Sequence, residues 1–350
     1  YTTLFRSHSA EEAYNNPVLH IVKSGTYRLK GTWHGQIWID ANDWDEALND
    51  DDYDEQEDDN AKVTIILNGV DVSCDVAPAL VFHGVYECGP DSETDVAAQW
   101  KTEDFANNIA SNAGAIVVIS DDTTNNFSGA NVYRIMKIKL KDSPSKVDGT
   151  DISAQKKMYK IDGAFYSFSS LAIGGGSKAN GKLNITSTTC EGLDAEMHMV
   201  IENGIITVNA VDDGINVNED DISVFSMLGG TVTVTSENGD GIDSNGYAAI
   251  LGGTLNVTAG NESENAAGEA GIDAEKGTYV DTANATYNYT QSSGTGAPSG
   301  TGGPEERETT GKGGTEGDST TDDNGTAQEN ELTEQQVMNL IADTTGEDSI

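Results

Sequence analysis

The chain has 350 residues, with 19 basic and 59 acidic side chains and a formal net charge of −40 at pH 7. So negative a surface excludes nucleic acid and anionic membranes as default partners, and favours cations or anions reached through a bridging cation. No apolar run approaches the roughly 20 residues of a membrane-spanning helix, so membrane insertion is not expected; the chain starts at Tyr1 and reads as a mature or trimmed extracellular product, any signal peptide having been removed.

Residues 1–17 read as an N-terminal segment that caps the strands after it. Helical periodicity is almost absent before residue 331. Short β-branched runs bounded by Gly, Asn and Asp recur instead, as strands should; the first are QIWID (36–40), KVTIIL (62–67) and AIVVIS (115–120). Trp33 and Trp38 are candidates for a platform on which sugar rings stack, the alternative being that they plug the open end of a solenoid. Residues 40–59 hold twelve acids. This acidic insertion (40–60) suits either a solvated charge run or a further calcium site. A lysine-rich insertion (131–160) carries eight of the nineteen basic side chains. Three cysteines leave at least one unpaired. A Cys74–Cys88 disulfide and two buried thiols both stay open, and Cys190 reads as a small buried hydrophobe.

The strongest signal is a repeat. The runs GKLNIT, GIITVN, GTVTVT and GTLNVT begin at Gly181, Gly204, Gly230 and Gly253, at intervals of 23, 26 and 23 residues. A second motif, CEGLDAE, VDDGINVN, NGDGIDSN and EAGIDAE, recurs on Gly192, Gly214, Gly241 and Gly271, at intervals of 22, 27 and 30. Self-similarity at such a period marks a repeat architecture. Alternation along the strands then gives inward columns: Leu183, Ile206, Val232, Leu255; Ile185, Val208, Val234, Val257; Leu193, Ile215, Ile242, Ile272; and Ile201, Met227, Ile250. The expectation is an all-β chain, a right-handed single-stranded parallel β-helix. This solenoid would have three short strands per coil over residues 18–290, with a flexible tail over 291–350. Within the tail, ELTEQQVMNLIAD (331–343) has the spacing of one short amphipathic helix.

The same alignment stacks Asp194, Asn216, Asp243 and Asp273 on an outward column, with Glu191, Asp213 and Asp240 on a second one just before the glycines. Carboxylates one strand apart, about 4.8 Å, repel by roughly 3.5 kcal/mol at an effective dielectric of 20 and by under about 1 kcal/mol in water. Only Lys182 and Lys276 supply positive charge over 181–290. An oxygen-only set of this density suits calcium. The plain alternative is that Asp, Asn and Gly are corner residues. All seven are therefore candidate calcium ligands, and Asp213, Asn216, Asp240 and Asp243 are also candidates for contact with a sugar.

GTYRLKGTWHGQIWIDA (25–41), AKVTIILNGVDVSC (61–74), DGAFYSFSSLAI (162–173) and the repeated DGI[ND]-x-N with GGT[VL]-x-V resemble a bacterial family of secreted carbohydrate-binding β-helix proteins, similar in fold to pectate lyases. The likeness covers about residues 18–290. It implies a calcium-dependent, non-catalytic binder of cellulose and acidic sugars such as polygalacturonate, with Asp194, Asp213, Asn216, Asp240, Asp243 and Asp273 forming the calcium and acid-sugar face. The two insertions and the tail depart from the family core. No catalytic set is expected: a lyase needs a basic side chain near the acids, and the four arginines, at 6, 28, 134 and 307, all lie outside the repeats. The alternative to sugar binding is a calcium-stabilised matrix or filament subunit, stacking end to end as a homopolymer.

Overall fold

The β-branched runs become strands. In the computed structural model, residues 14–42, 60–137, 156–259 and 271–291 are described. The tail with its expected helix, residues 43–59 of the acidic insertion and residues 138–155 of the lysine-rich insertion lie outside the described residues. Strands β1 to β5 span Val18–Ile21, Gly25–His34, Gln36–Asp40, Val63–Ser73 and Leu80–Gly84. Helices α1 (Glu93–Gln99) and α2 (Glu103–Asn112) come next, before β6 (Ala115–Ile119), β7 (Thr124–Gly129), β8 (Val132–Lys137) and β9 (Lys156–Ile161). From there the strands arrive in threes, each trio forming a tier. The first tier is β10 (Phe165–Ser167), β11 (Leu171–Gly175) and β12 (Lys182–Ser187), and the second β13 (Leu193–Ala195), β14 (His198–Ile201) and β15 (Ile205–Ala210). The third is β16 (Ile215–Val217), β17 (Val224–Met227) and β18 (Thr231–Ser236). The last two are β19 (Ile242–Ser244), β20 (Tyr247–Ile250) and β21 (Gly253–Ala259), then β22 (Ile272–Ala274), β23 (Gly277–Val280) and β24 (Ala285–Gln291).

These strands do not make the simple single-stranded β-helix solenoid expected from the repeat. They form two parallel sheets, one of eight strands in the order β1-β3-β5-β10-β13-β16-β19-β22, and one of fourteen. Thirteen strands of the larger sheet lie on one path, β23-β20-β17-β14-β11-β6-β4-β7-β12-β15-β18-β21-β24, and β2 joins it at β4. This layer is barrel-like and nearly closed. The joint is β4. Its eleven residues outrun every strand of the later tiers. Val63–Leu67 pair with β6, Asp71–Ser73 pair with β7, and β2 pairs along both halves. Two strand stacks that a regular solenoid keeps apart are thereby one sheet. The register shift between the halves carries Gly69, at φ +78°, a conformation that favours glycine. The sequence period was legible only after residue 180, so it could not reveal this joint.

Within the tiers the expected columns do pair in register: Leu193 with Ile215, Ile242 and Ile272, and Ile206 with Val232 and Leu255. These side chains fill one continuous core between the sheets and are essentially buried. The repeating glycines have a packing cause. A Cβ on Gly192, Gly214 or Gly241 would lie 2.2, 2.0 or 2.1 Å from Cγ1 of Val208, Val234 or Val257. Each of these three glycines, which lead into strands of the small sheet, thus receives a valine of the large sheet from its own tier.

Two further elements depart from the sequence reading. Helices α1 and α2 were not expected before residue 331. Ser92 and Thr102 cap them, accepting from Asp95 N and Phe105 N at 3.3 and 3.2 Å. They bury Val96, Phe105, Ala106 and Ile109 against Ala172, Val200, Val224 and Ala249 on the outer face of the large sheet. Strands β8 and β9 form an antiparallel hairpin at the ends of the lysine-rich insertion. All three cysteines are free and buried, which settles Cys74 and Cys88 as thiols.

Candidate functional site

The outward column of the small sheet runs, strand by strand, through Tyr166, Asp194, Asn216, Asp243 and Asp273. Strand pairing fixes it: each three-residue strand points its flanking residues inward, as Leu193 and Ala195 do, so the middle residue must point away from the core. The column was expected to lie open to water, and only its far end does. Asp194 is 1% exposed and Asn216 8%, Asp243 is half-buried and Asp273 exposed. The covering is local. Asn218 Nδ2 donates to Asp194 Oδ1 at 2.9 Å, Gly163 packs on the Asp194 side chain, and the buried Tyr166 hydroxyl donates to Glu196.

The second expected column lies beside it. Glu191 and Asp240 are buried, Asp213 is half-buried, and Asp240 N donates to Asp213 Oδ1 at 2.6 Å. The two columns share one electrostatic environment. Burial, then the negative charge of Asp273, pushes the Asp243 carboxyl up to about 7. Burial, then the charges of Asp243, Asp212 and Glu191, holds the Asp213 carboxyl well above the ordinary carboxylate range, against the lowering effect of the Asp240 N–H. Repulsion and desolvation act in the same direction at both groups.

One atom stands out. Asn216 Oδ1 is buried and accepts no hydrogen bond from any described residue. It sits between Asp194 on one neighbouring strand and Asp243 on the other. A buried acceptor without a donor costs about 1–3 kcal/mol. A donor or a cation would satisfy it, and an all-oxygen set of amide and carboxylates fits a hard cation such as calcium.

Sequence reasoning missed one acid. Asp162, Cys190 and Glu191 bring ligand atoms within 4.8 Å of one another, all buried. The signal was present as the Asp162–Gly163 pair, an early copy of the acid–glycine step. Cys190 is a protonated thiol there: burial, then the Glu191 and Asp162 charges, pushes it far up. It is a buried neighbour, with only the carboxylates fit for a hard cation.

The tryptophans lie elsewhere. Trp38 is 8% exposed, its ring tilted against His83 at 4.7 Å and packed with Val81, Ile161 and Tyr166. Its ring offers no open face to a sugar. Trp33 is half-buried against the core, with Nε1 donating to Gln36 O at 3.3 Å. A shallow groove of about 300 Å³ crosses β2, β4, β7 and β12 on the outer face of the large sheet. Along its floor Asn184 donates to Asn126 Oδ1 at 2.8 Å, and Asn126 donates to Asp71.

A family model described as carbohydrate-binding domain-containing protein matches residues 98–336. The chain belongs to that family. The matched stretch contains all five tiers, both acidic columns and helix α2. A solved structure, that of the polysaccharide lyase-like protein from C. thermocellum as a gadolinium derivative, is 16% identical and covers 79% of this chain and 88% of that one, at a TM-score of 0.44. A likeness of that size carries no argument about fold or function. No curated protein matches the sequence.

Proposed function

We propose that this member of the carbohydrate-binding family is an extracellular, non-catalytic polysaccharide binder that works through calcium. The polymer is cellulose-like or an acidic sugar chain such as polygalacturonate. The observation that carries the reading is Asn216 Oδ1, buried and without a donor between the in-register carboxylates of Asp194 and Asp243. Asp194, Asn216 and Asp243 would hold the ion, Asp273 would complete the open end of the column, and Glu191, Asp213 and Asp240 would balance it from the side. Bound there, calcium supplies a positive centre to which a sugar carboxylate or hydroxyl can add as a ligand. The gradient from buried Asp194 to exposed Asp273 leaves that centre reachable from one side only.

The test is retention on insoluble cellulose and on immobilised polygalacturonate, with calcium and with chelator, for the wild type and for Asn216→Ala and Asp243→Asn. Calcium-dependent retention by the wild type that the variants lose supports the reading. Equal retention with chelator, or none on either polymer with calcium present, overturns it. An assay for unsaturated product on polygalacturonate separates binding from lyase activity.

A filament reading draws on a different observation. β22, β23 and β24 end their sheets with a neighbour on one side only among the described residues, and Tyr279 and Tyr289 there are 37% and 36% exposed. Open strand edges of this kind recruit another chain. Sizing at rising concentration, with and without calcium, distinguishes a homopolymer from a monomeric binder.

A further inference from the structure

A second cation-binding arrangement lies at the other end of the small sheet, apart from the acidic columns. At the end of β3 the chain turns through Asp40, Ala41 and Asn42. Ala41 N and Asn42 N both donate to Gly84 O, at 2.6 and 3.2 Å. The turn brings two oxygens to one place. Asp40 Oδ1 lies 1.9 Å, and Asn42 Oδ1 2.2 Å, from the point a Cβ on Gly84 would occupy, so the two are at most 4.1 Å apart. Both atoms are buried, and neither accepts a hydrogen bond from any described residue.

The remaining polar atoms of this pair are engaged. Asp40 Oδ2 lies 3.2 Å from His83 Nδ1. Asn42 Nδ2 donates to Val85 O at 3.5 Å, which turns Oδ1 toward Asp40. His83 is itself fixed, 6% exposed, between the Trp38 ring at 4.7 Å and the Phe168 ring at 5.0 Å. A carboxylate and an amide oxygen are thus buried facing each other with no donor between them. Each is a desolvated acceptor that a cation between them would satisfy.

We infer that Asp40 and Asn42 form a cation site of their own, for a hard divalent ion of the calcium class. Oxygens each about 2.3–2.6 Å from one such ion lie at most about 5 Å from each other, and the separation found falls inside that bound. His83 orients the carboxylate from behind, as partners of metal ligands do. Gly84 is required because any Cβ would occupy the space in which the two oxygens meet. The sequence after Asn42 carries eleven acids over residues 43–59, and a field of that sign concentrates cations near the turn.

Terbium stands in for calcium in the test, read as tryptophan-sensitised luminescence of the full chain and confirmed by calcium titration calorimetry. Trp38 lies against His83 beside the pair, whereas Trp100 packs on Tyr247 and Tyr279 of the tiers, so the signal is read in a Trp100→Phe background, where no described tryptophan lies on the tiers. Asp40→Asn should weaken the sensitised site about tenfold or more. Asn42→Asp adds a ligand charge and should tighten it by a similar factor, with a melting temperature that calcium raises more than in the wild type. Asp243→Asn, in the acidic column, should leave the sensitised signal unchanged. If instead the Asn42 amide is turned so that its NH2 donates to Asp40, Asn42→Asp sets two carboxylates against each other. It then lowers the melting temperature with no gain in affinity and no rescue by calcium. That result, or an Asp40→Asn variant that folds and binds as the wild type does, overturns the site.

Discussion

The metal-free protein should lose stability as pH rises from about 4 to about 7, and Asp243 should account for a distinct share of the loss. In the fold its carboxyl titrates at about 7, because burial and the neighbouring Asp273 charge disfavour ionisation. In the unfolded chain an aspartate titrates near 3.9. Between those values the folded state holds a proton that the unfolded state has released, so stability falls with pH through that window. Below about 4 the penalty is absent; above about 7 it is complete. At about 1.36 kcal/mol per pH unit the full penalty is on the order of 4 kcal/mol. Asp213, raised for the same reasons, acts in the same direction. The assay is the denaturant midpoint in chelator at several pH values across the window, for wild type and Asp243→Asn. The wild type should decline by several kcal/mol more than the variant, and calcium should restore most of the difference at high pH. A net charge of −40 gives some decline by general repulsion in both proteins. If the two decline in parallel, the site contributes nothing and the reasoning fails.

Packing sets the other outcomes. Gly214→Ala puts a Cβ 2.0 Å from Val234 Cγ1 and 2.7 Å from Gly241 O; overpacking of this kind costs about 1–3 kcal/mol, visible as a lowered melting temperature. Thr102→Ala removes the oxygen that caps α2 through Phe105 N and should cost about 1 kcal/mol in chemical denaturation. Burial raises the thiols of Cys74 and Cys88, the latter to about 11. A thiol reagent at neutral pH should therefore label the three cysteines only in denaturant, as counted by mass spectrometry.

The inward columns were legible because alternation along a strand is a local property that stacking then repeats. Leu193, Ile215, Ile242 and Ile272 could be aligned from the sequence and do pair in register. The joining of two strand stacks through β4 was not legible, since it depends on one long strand finding three neighbours with no repeat to announce them. The helices escaped because their apolar face is only Val96, Phe105, Ala106 and Ile109, in a stretch rich in Asn and Ala. At the site, the identity of the stacked acids was readable but their burial was not. Asp194 looks the same in sequence as Asp273, and only the neighbours Asn218, Gly163 and Tyr166 enclose the first and leave the second in water. The Asp40–Asn42 pair hid at the head of an acid-rich run, where nothing in the residue types separates two converging oxygens from the acids that follow in sequence.

The valine that fills each glycine notch comes from the same tier: Val208 for Gly192, Val234 for Gly214, Val257 for Gly241. Each of these three middle trios of strands therefore carries both halves of its own lock. A whole trio can be copied or lost without leaving a valine that lacks its notch, whereas a change of one or two residues inside a trio separates them. Growth and shrinkage of such a protein should proceed by complete tiers, and the number of acids in its column would change in step.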